Sequence, residues 1–254
     1  MSKVDLNRRN FLGKTSVALA GLAIAPGMML FDFSHAQQTR AGQIPVRKPG
    51  EPASSAVRWG MLIDTTQCGS NCNECVSACS KENGWPEPKA PTDVQWIRKV
   101  ELKQVSTGRQ VSLPMMCQHC ANPPCVDVCP TAASFKRADG IVLVDKHRCI
   151  GCRYCMMACP FKARSFVHEP VLDHDSDMPR GQGTVESCTL CVHRLDRGEM
   201  PACVEACAKT GHRAMIFGDL NDPNSEIYLR IRSATTTQLR ADLGLNAGFS
   251  FAGL

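Results

Sequence analysis

Cys149-Ile150-Gly151-Cys152-Arg153-Tyr154-Cys155-Met156-Met157-Ala158-Cys159-Pro160 sets four cysteines at gaps of two, two and three residues and stops on a proline. Two-residue gaps let a tight loop aim successive sulfurs at one centre while its backbone N–H groups point the same way. The three-residue step begins a helical turn and carries the fourth sulfur away from that centre. Three further groups stand along the chain: Cys68-x3-Cys72-x2-Cys75-x3-Cys79, Cys117-x2-Cys120-x4-Cys125-x3-Cys129 followed by Pro130, and Cys188-x2-Cys191-x11-Cys203-x3-Cys207. Together the four groups use all 16 cysteines of the 254 residues.

Composition agrees that these cysteines are structural staples. The 43% hydrophobic fraction includes them and only 6% of residues are aromatic, so apolar burial is thin for this length. The formal net charge of +5, of which Lys3, Arg8, Arg9 and Lys14 against Asp5 and Asp32 supply +2, is too mild and scattered for nucleic acid. No uninterrupted run of about 20 apolar residues exists, which excludes a multi-span membrane protein.

Zinc sites take two separated pairs per ion and recruit histidine, unlike runs of three plus one. A disulfide scaffold has no reason to repeat two-residue gaps, and the chain exceeds the size of most disulfide-stapled domains. No C-x2-C here precedes a histidine, so haem is not attached in the c-type manner. The group at 149–159 resembles the run of bacterial ferredoxins, in which three thiolates hold one 4Fe-4S cube and the fourth, before a proline, reaches a neighbouring cube. Groups therefore work in pairs. Asp139-Gly140 and the strand-like Ile141-Val142-Leu143-Val144-Asp145 lie between the second and third groups, as in a two-cluster ferredoxin unit, and the first and fourth then pair by elimination. The expected sets are Cys68, Cys72, Cys75 with Cys207; Cys188, Cys191, Cys203 with Cys79; and an inner pair, Cys117, Cys120, Cys125 with Cys159 and Cys149, Cys152, Cys155 with Cys129. Four 4Fe-4S clusters are the expected cofactors, with these cysteines as iron ligands.

Residues 1–36 read as an export signal: a charged start, an apolar stretch from Val17 to Ala25 broken by Pro26-Gly27, and small residues at Ser34 and Ala36. Arg8-Arg9-Asn10-Phe11-Leu12-Gly13-Lys14 resembles the twin-arginine signal, with Asn7 where Ser or Thr is commoner. That route carries folded proteins, so thiolates can be committed to metal in the reducing cytoplasm before crossing. The expected location is the periplasm.

Cys149-Ile150-Gly151-Cys152-Arg153-Tyr154-Cys155, Cys188-Thr189-Leu190-Cys191-Val192-His193-Arg194-Leu195-Asp196, Pro201-Ala202-Cys203-Val204-Glu205-Ala206-Cys207 and Phe217-Gly218-Asp219-Leu220-Asn221-Asp222-Pro223-Asn224-Ser225 resemble the four-cluster iron–sulfur subunits that accompany dimethyl sulfoxide reductase-type enzymes. The match runs from about Arg58 to Glu226. Within that family the export signal, the Cys68-x3-Cys72 start and Asp242-Leu243-Gly244-Leu245-Asn246 are most similar to the exported subunits of membrane complexes linked to dissimilatory sulfite reductase. The resemblance implies an α+β fold, a duplicated two-cluster ferredoxin-like core with inserted β elements and long loops. It implies an integral membrane quinone-interacting subunit at one end and an exported c-type cytochrome or a molybdoenzyme at the other; the alternative is the electron-transfer subunit of a molybdopterin oxidoreductase or nitrite reductase complex. The extra residue of Cys68-x3-Cys72 departs from the usual gap of two.

The organisation expected is a signal at 1–36, a linker or partner-binding arm at 37–57, the cluster domain at 58–226 and a C-terminal docking tail at 227–254. Arg58 to Asp64 reads as a strand, Val94–Val105 and Gln110–Leu113 as a hairpin around Ser106-Thr107-Gly108, Phe161–Ser187 as mostly loop, and Glu226–Ser233 as a helix capped by Ser225. His119 and His193 read as packing residues or as cluster-tuning donors; Arg153, Tyr154, Lys162 and Arg164 read either as an ordinary basic surface or as charges that raise a cluster's potential. Met115-Met116 and Met156-Met157 are expected to fill apolar space. Sixteen cysteines saturate four cubes, and no triad, phosphate loop or flavin motif is visible, so the reading is an electron relay without catalytic residues or a small-molecule substrate of its own.

Overall fold

Trp59-Gly60-Met61-Leu62-Ile63 is apolar at every side-chain position, so a strand made from it has to be covered on both faces. In the computed structural model, which describes residues 43–172 and 178–254, that strand is the buried heart of the main sheet. The expected signal at 1–36, the start of the arm at 37–42 and the centre of the second excursion lie outside the described residues.

In chain order the elements are β1 (Trp59–Asp64), α1 (Glu74–Asn83), β2 (Ile97–Lys103), β3 (Gln110–Met116), α2 (Pro124–Asp127), β4 (Ser134–Lys136), β5 (Val142–Val144) and α3 (Tyr154–Ala158). They continue with β6 (Ser165–Phe166), β7 (Val185–Glu186), α4 (Val192–Asp196), α5 (Ala202–Lys209), β8 (Met215–Asp219), α6 (Glu226–Ser233), β9 (Thr236–Thr237) and β10 (Phe249–Ala252). The main sheet has the order β8-β1-β10-β9, with β1 parallel to β10 and antiparallel to β8. Three two-stranded ladders, β2–β3, β4–β5 and β6–β7, complete an α+β architecture. A Cβ on Gly60 would stand 2.5 Å from the Gly248 carbonyl, so glycine is what lets the chain before β10 press against β1.

The expected first strand, hairpin and capped helix stand where the sequence put them. Register in the hairpin runs from Ile97 opposite Met116 to Lys103 opposite Gln110, with Gly108 at φ +71° in the connection. Ser225 Oγ accepts the Tyr228 N–H at 3.3 Å to cap α6. Two expectations need correction. The segment set apart as a docking tail at 227–254 belongs to the main sheet: β10 lies between β1 and β9, and Phe249 and Phe251 are buried against Met61 and Ile63. The arm, for its part, lies on this same unit where it is described. Arg47 N–H donates to the Asp196 carbonyl at 2.8 Å, its guanidinium pairs with the Asp196 carboxylate at 2.6 Å, and Ile44 and Val57 pack on the core.

The second excursion is closed by β6 and β7, a ladder too short to carry a sequence signal. A buried ion pair anchors it. Arg180 Nε meets the fully buried Glu186 carboxylate at 3.1 Å, Trp96 Nε1 donates to the same group at 3.0 Å, and Arg180 Nη1 donates to the Gly84 carbonyl at 2.7 Å beyond the end of α1. Removing one partner leaves an uncompensated buried charge. Arg180→Ala should cost about 3–5 kcal/mol, read as a fall in the midpoint of thermal unfolding followed by circular dichroism; Arg180→Met with Glu186→Leu should recover most of that loss.

Candidate metal centres

The structure gathers the sixteen cysteines into four sets, each of three neighbouring sulfurs and one from far along the chain. Set I is Cys68, Cys72 and Cys75 with Cys207, lining one cavity together with Gly69, His212 and Met215. Set II is Cys188, Cys191 and Cys203 with Cys79, walled by Met61, Trp96 and Met116. In set III the charges of Cys125 and Cys159 both act on Cys117 and on Cys120. Set IV is Cys149, Cys152 and Cys155 with Cys129, beside Ser134, Ile150 and Arg153. None of the sixteen is in a disulfide.

Helices make the exchange. α1 carries Cys75 for set I and Cys79 for set II, and α5, packed against it, carries Cys203 for set II and Cys207 for set I. The segments at α2 and α3, which also pack together, repeat the trade: Cys125 of α2 and Cys159 just past α3 are in set III, and Cys155 of α3 and Cys129 just past α2 are in set IV. The sets follow one another in a line: Cys75 acts on Cys203, Cys117 on Cys188, and Cys155 on Cys125. Every cysteine of sets II and III is buried, whereas set I has half-exposed Cys68 and Cys72 and set IV has an exposed Cys152. The inner pair in space is therefore sets II and III, not the two groups that lie in the middle of the sequence.

Local backbone explains the loops. His119, Gly151, Arg153 and Leu190, each between two cysteines, adopt positive φ, which bends a short loop around its own sulfurs. Gly151 has no substitute, because a Cβ there would meet the Gly183 carbonyl at 2.3 Å as well as sitting at φ +71°. The first group solves its extra residue differently. Gly69 to Cys72 form a turn, with Cys72 N–H donating to the Gly69 carbonyl at 3.2 Å, and no residue between Cys68 and Cys72 has positive φ. Lys99 of β2 reaches over and donates from Nζ to the carbonyls of Gly69, Ser70 and Cys72 at 2.6, 3.1 and 2.7 Å. The inserted hairpin thus fixes the longer loop and leaves Cys68 facing the set I cavity. Sequence reasoning missed Lys99, which is distant in the chain and carries no motif.

Burial pushes the Cys75, Cys117 and Cys120 thiols up to about 12 and raises Cys79, Cys188 and Cys203 well above the ordinary thiol value. Cys129 moves the other way: burial raises it, but the N–H groups of Ser134 and neighbours and the Thr131 hydroxyl outweigh that and lower it. Burial thus disfavours a bare thiolate at these positions, a cost that the positive charge of bound metal offsets. The donor sets suit a cube better than a lone ion. Among the described residues no three His, Cys, Asp or Glu side chains converge tightly enough to hold one ion, yet four thiols line each of the cavities at sets I, II and IV. Buried donors without a protein partner stand nearby, including Thr189 Oγ1 on the wall of set II and His119 Nε2.

Of the flanking residues, His119 is fully buried, accepts the Val142 N–H on Nδ1 at 3.0 Å, and is pushed down to about 3 by burial and then by Arg164. His193 bonds Glu82 at 2.8 Å in an ion-pair network with Arg194 and Glu205. Arg153 stacks on Phe166 at 3.8 Å, while Tyr154, Lys162 and Met157 face solvent and Met116 fills space beside set II. Arg164 alone of the basic residues suggested around the third group is buried.

Residues 109–220 match the family described as a 4Fe-4S dicluster domain. Over 98% of its length the chain is 41% identical to the Hdr-like menaquinol oxidoreductase iron–sulfur subunit 1 of Archaeoglobus fulgidus, of which 98% is covered. A tetrathionate reductase subunit from Salmonella typhimurium is 40% identical over 88% of this chain and 78% of its own. A sulfite dehydrogenase subunit from Allochromatium vinosum is 36% identical over 72% and 78%. Four thiol sets with 4Fe-4S clusters as their cofactors, and relatives of this length and identity, lead to one conclusion: the chain belongs to the ferredoxin-type iron–sulfur electron-transfer subunits of oxidoreductase complexes.

Proposed function

We propose that the chain is the exported electron-transfer subunit of a membrane quinone oxidoreductase. In this reading it relays single electrons between an integral membrane quinone-reactive subunit and an exported c-type cytochrome in sulfur-compound respiration or oxidation, the role of the subunit DsrO that its sequence resembles. The observation that carries the reading is the line of four thiol sets, buried in the middle and open at both ends. A relay needs two ports, and a single-substrate enzyme needs one. Near-complete alignment with a menaquinol oxidoreductase subunit supports the quinone side. A second reading, in which the exported partner is a molybdoenzyme, draws on the 40% identity with the tetrathionate reductase subunit. Among the described residues no helix is long and apolar enough to cross a membrane, so membrane contact is assigned to another subunit.

Sets I to IV are proposed as the ligand sets, with the two helix pairs as two copies of one two-site unit. Bound 4Fe-4S groups supply one-electron acceptance and donation. The chain's own residues hold them in line, keep water from the two middle positions, and leave set IV behind exposed Ile150, Tyr154 and Met157, where a partner can approach.

Purified protein should hold about 16 iron and 16 sulfide per chain if each set carries one cube. Cys79→Ala should perturb the cube of Cys188, Cys191 and Cys203, seen as the loss of one electron paramagnetic resonance signal with no change in the signal from set I. Assignment of Cys79 to the cube of Cys75 defeats the proposed sets.

The isolated chain should exchange electrons with dyes or an exported cytochrome and turn over no sulfite, nitrite, polysulfide or tetrathionate. Adding membranes that contain its partner should produce quinol oxidation or quinone reduction. Robust substrate turnover by the chain alone overturns the relay, and the identity of the co-purifying exported subunit separates cytochrome from molybdoenzyme.

Replacing Arg8 and Arg9 by Lys should strand cluster-loaded precursor in the cytoplasm, measured by fractionation and iron content. Undiminished delivery to the periplasm defeats the export reading.

A further inference from the structure

Arg164 follows the third cysteine group and is only 5% exposed. Its Nη2 donates to Cys125 Sγ at 3.1 Å and to Ser134 Oγ at 2.8 Å. Cys125 belongs to set III, and Ser134 lines the cavity of set IV together with Cys149, Cys152 and Cys155. One side chain therefore bonds a thiol of one set and the lining of the next. No Asp or Glu pairs with it among the described residues, and its Nε and Nη1, both buried, have no protein partner. The contrast with Arg180 is direct, since that buried guanidinium has Glu186 at 3.1 Å.

A buried cation without a carboxylate costs several kcal/mol unless another anion balances it. The nearest group able to carry balancing negative charge is the Cys125 sulfur at 3.1 Å, together with whatever its set binds. Among the described residues nothing neutralises the guanidinium except the thiolate sets and what they bind.

We propose that Arg164 is a positioning residue for electron transfer, a shared internal counterion that holds the reduction potentials of the sites at sets III and IV above those their thiolates alone would give. Adding an electron to either site brings negative charge toward a fixed positive one in a medium that screens poorly, so reduction is favoured at both. The two unpartnered N–H-bearing nitrogens are available to donate to cluster sulfides, which stabilises the reduced form in the same direction. Set I has a different cation beside it: Lys99 Nζ donates to three loop carbonyls and to no thiol. The proposal deepens the relay reading and rests on sets III and IV each holding a 4Fe-4S group.

The test is a redox titration, monitored by electron paramagnetic resonance, of the full-length loaded protein and its Arg164→Gln and Arg164→Lys variants, with iron counted in each. Arg164→Gln is expected to lower the reduced-to-oxidised ratio at fixed potential by at least tenfold, about 59 mV for one electron, at two of the four sites, while the other two move less than threefold. Arg164→Lys, which keeps the charge and loses the fork, is expected to recover most of that shift. Four loaded sites with unshifted potentials in Arg164→Gln overturn the role of Arg164 and leave the relay standing. Wild-type protein without iron at sets III and IV overturns the relay reading itself. Should Arg164→Gln fail to load, Ser134→Ala removes the hydroxyl that anchors Nη2 and spares every thiol. The same two sites are then expected to shift two- to threefold, and unchanged potentials there overturn the proposal.

Discussion

A sulfur from a distant stretch has to join three neighbours before any of the four sets is complete, and this requirement organises the molecule. Cys207 returns to the beginning of the domain, Cys79 crosses to meet Cys188, and Cys129 and Cys159 change places between α2 and α3. Metal bound at such a set closes a long loop and links two helices, so its binding free energy is also folding free energy. That is how a chain with few aromatic side chains sustains a fold whose sheet is only four strands wide. The hairpin, the arm and the second excursion then act as clamps. Lys99 holds the first loop, Arg47 pins the arm to Asp196, and the Arg180–Glu186 pair fixes the excursion to the end of α1.

Electrostatics follows from the same enclosure. Burial disfavours the thiolate at most of these cysteines, and the interior offers little else to offset it. The described interior therefore sorts its cations by partner. Arg180 has a carboxylate, Lys146 donates a hydrogen bond to the Val185 carbonyl at 2.7 Å, and Arg164 has only sulfur and a serine hydroxyl. An identical side chain fastens the fold at one place and bears on the redox sites at another, and the difference lies in what surrounds it.

The cysteine groups, the hairpin at Ser106-Thr107-Gly108, the Asp139-Gly140 turn before β5 and the Ser225 cap were legible because each is decided by residues close in sequence. What escaped reading depends on contacts between remote segments. Lys99 has no motif, and its three carbonyl partners become neighbours only after the hairpin folds over the first group. β10 is four residues long, too short for its Phe249 and Phe251 alternation to stand out, and its place between β1 and β9 is set by the packing around Gly60. The burial of Arg164 could not be told from the exposure of Lys162 two positions earlier, because both follow the same cysteine group. Spatial order was hidden for a related reason: helix exchange places sets II and III side by side although their local groups lie at opposite flanks of the third.

Cys75 and Cys79 stand four residues apart in α1, a rise of roughly 6 Å along the axis, and they serve different sets. The interval between those sets is therefore gauged by a helical pitch. Adding one residue between the two cysteines would swing the second sulfur by about 100° around the axis, whereas lengthening the hairpin tip or the second excursion moves neither. Tolerance to insertion is accordingly uneven, generous in the surface loops and absent within this one turn. Electron transfer is most sensitive to the separation of its sites, and between these two sets that separation is fixed by one helical turn and not by a loop.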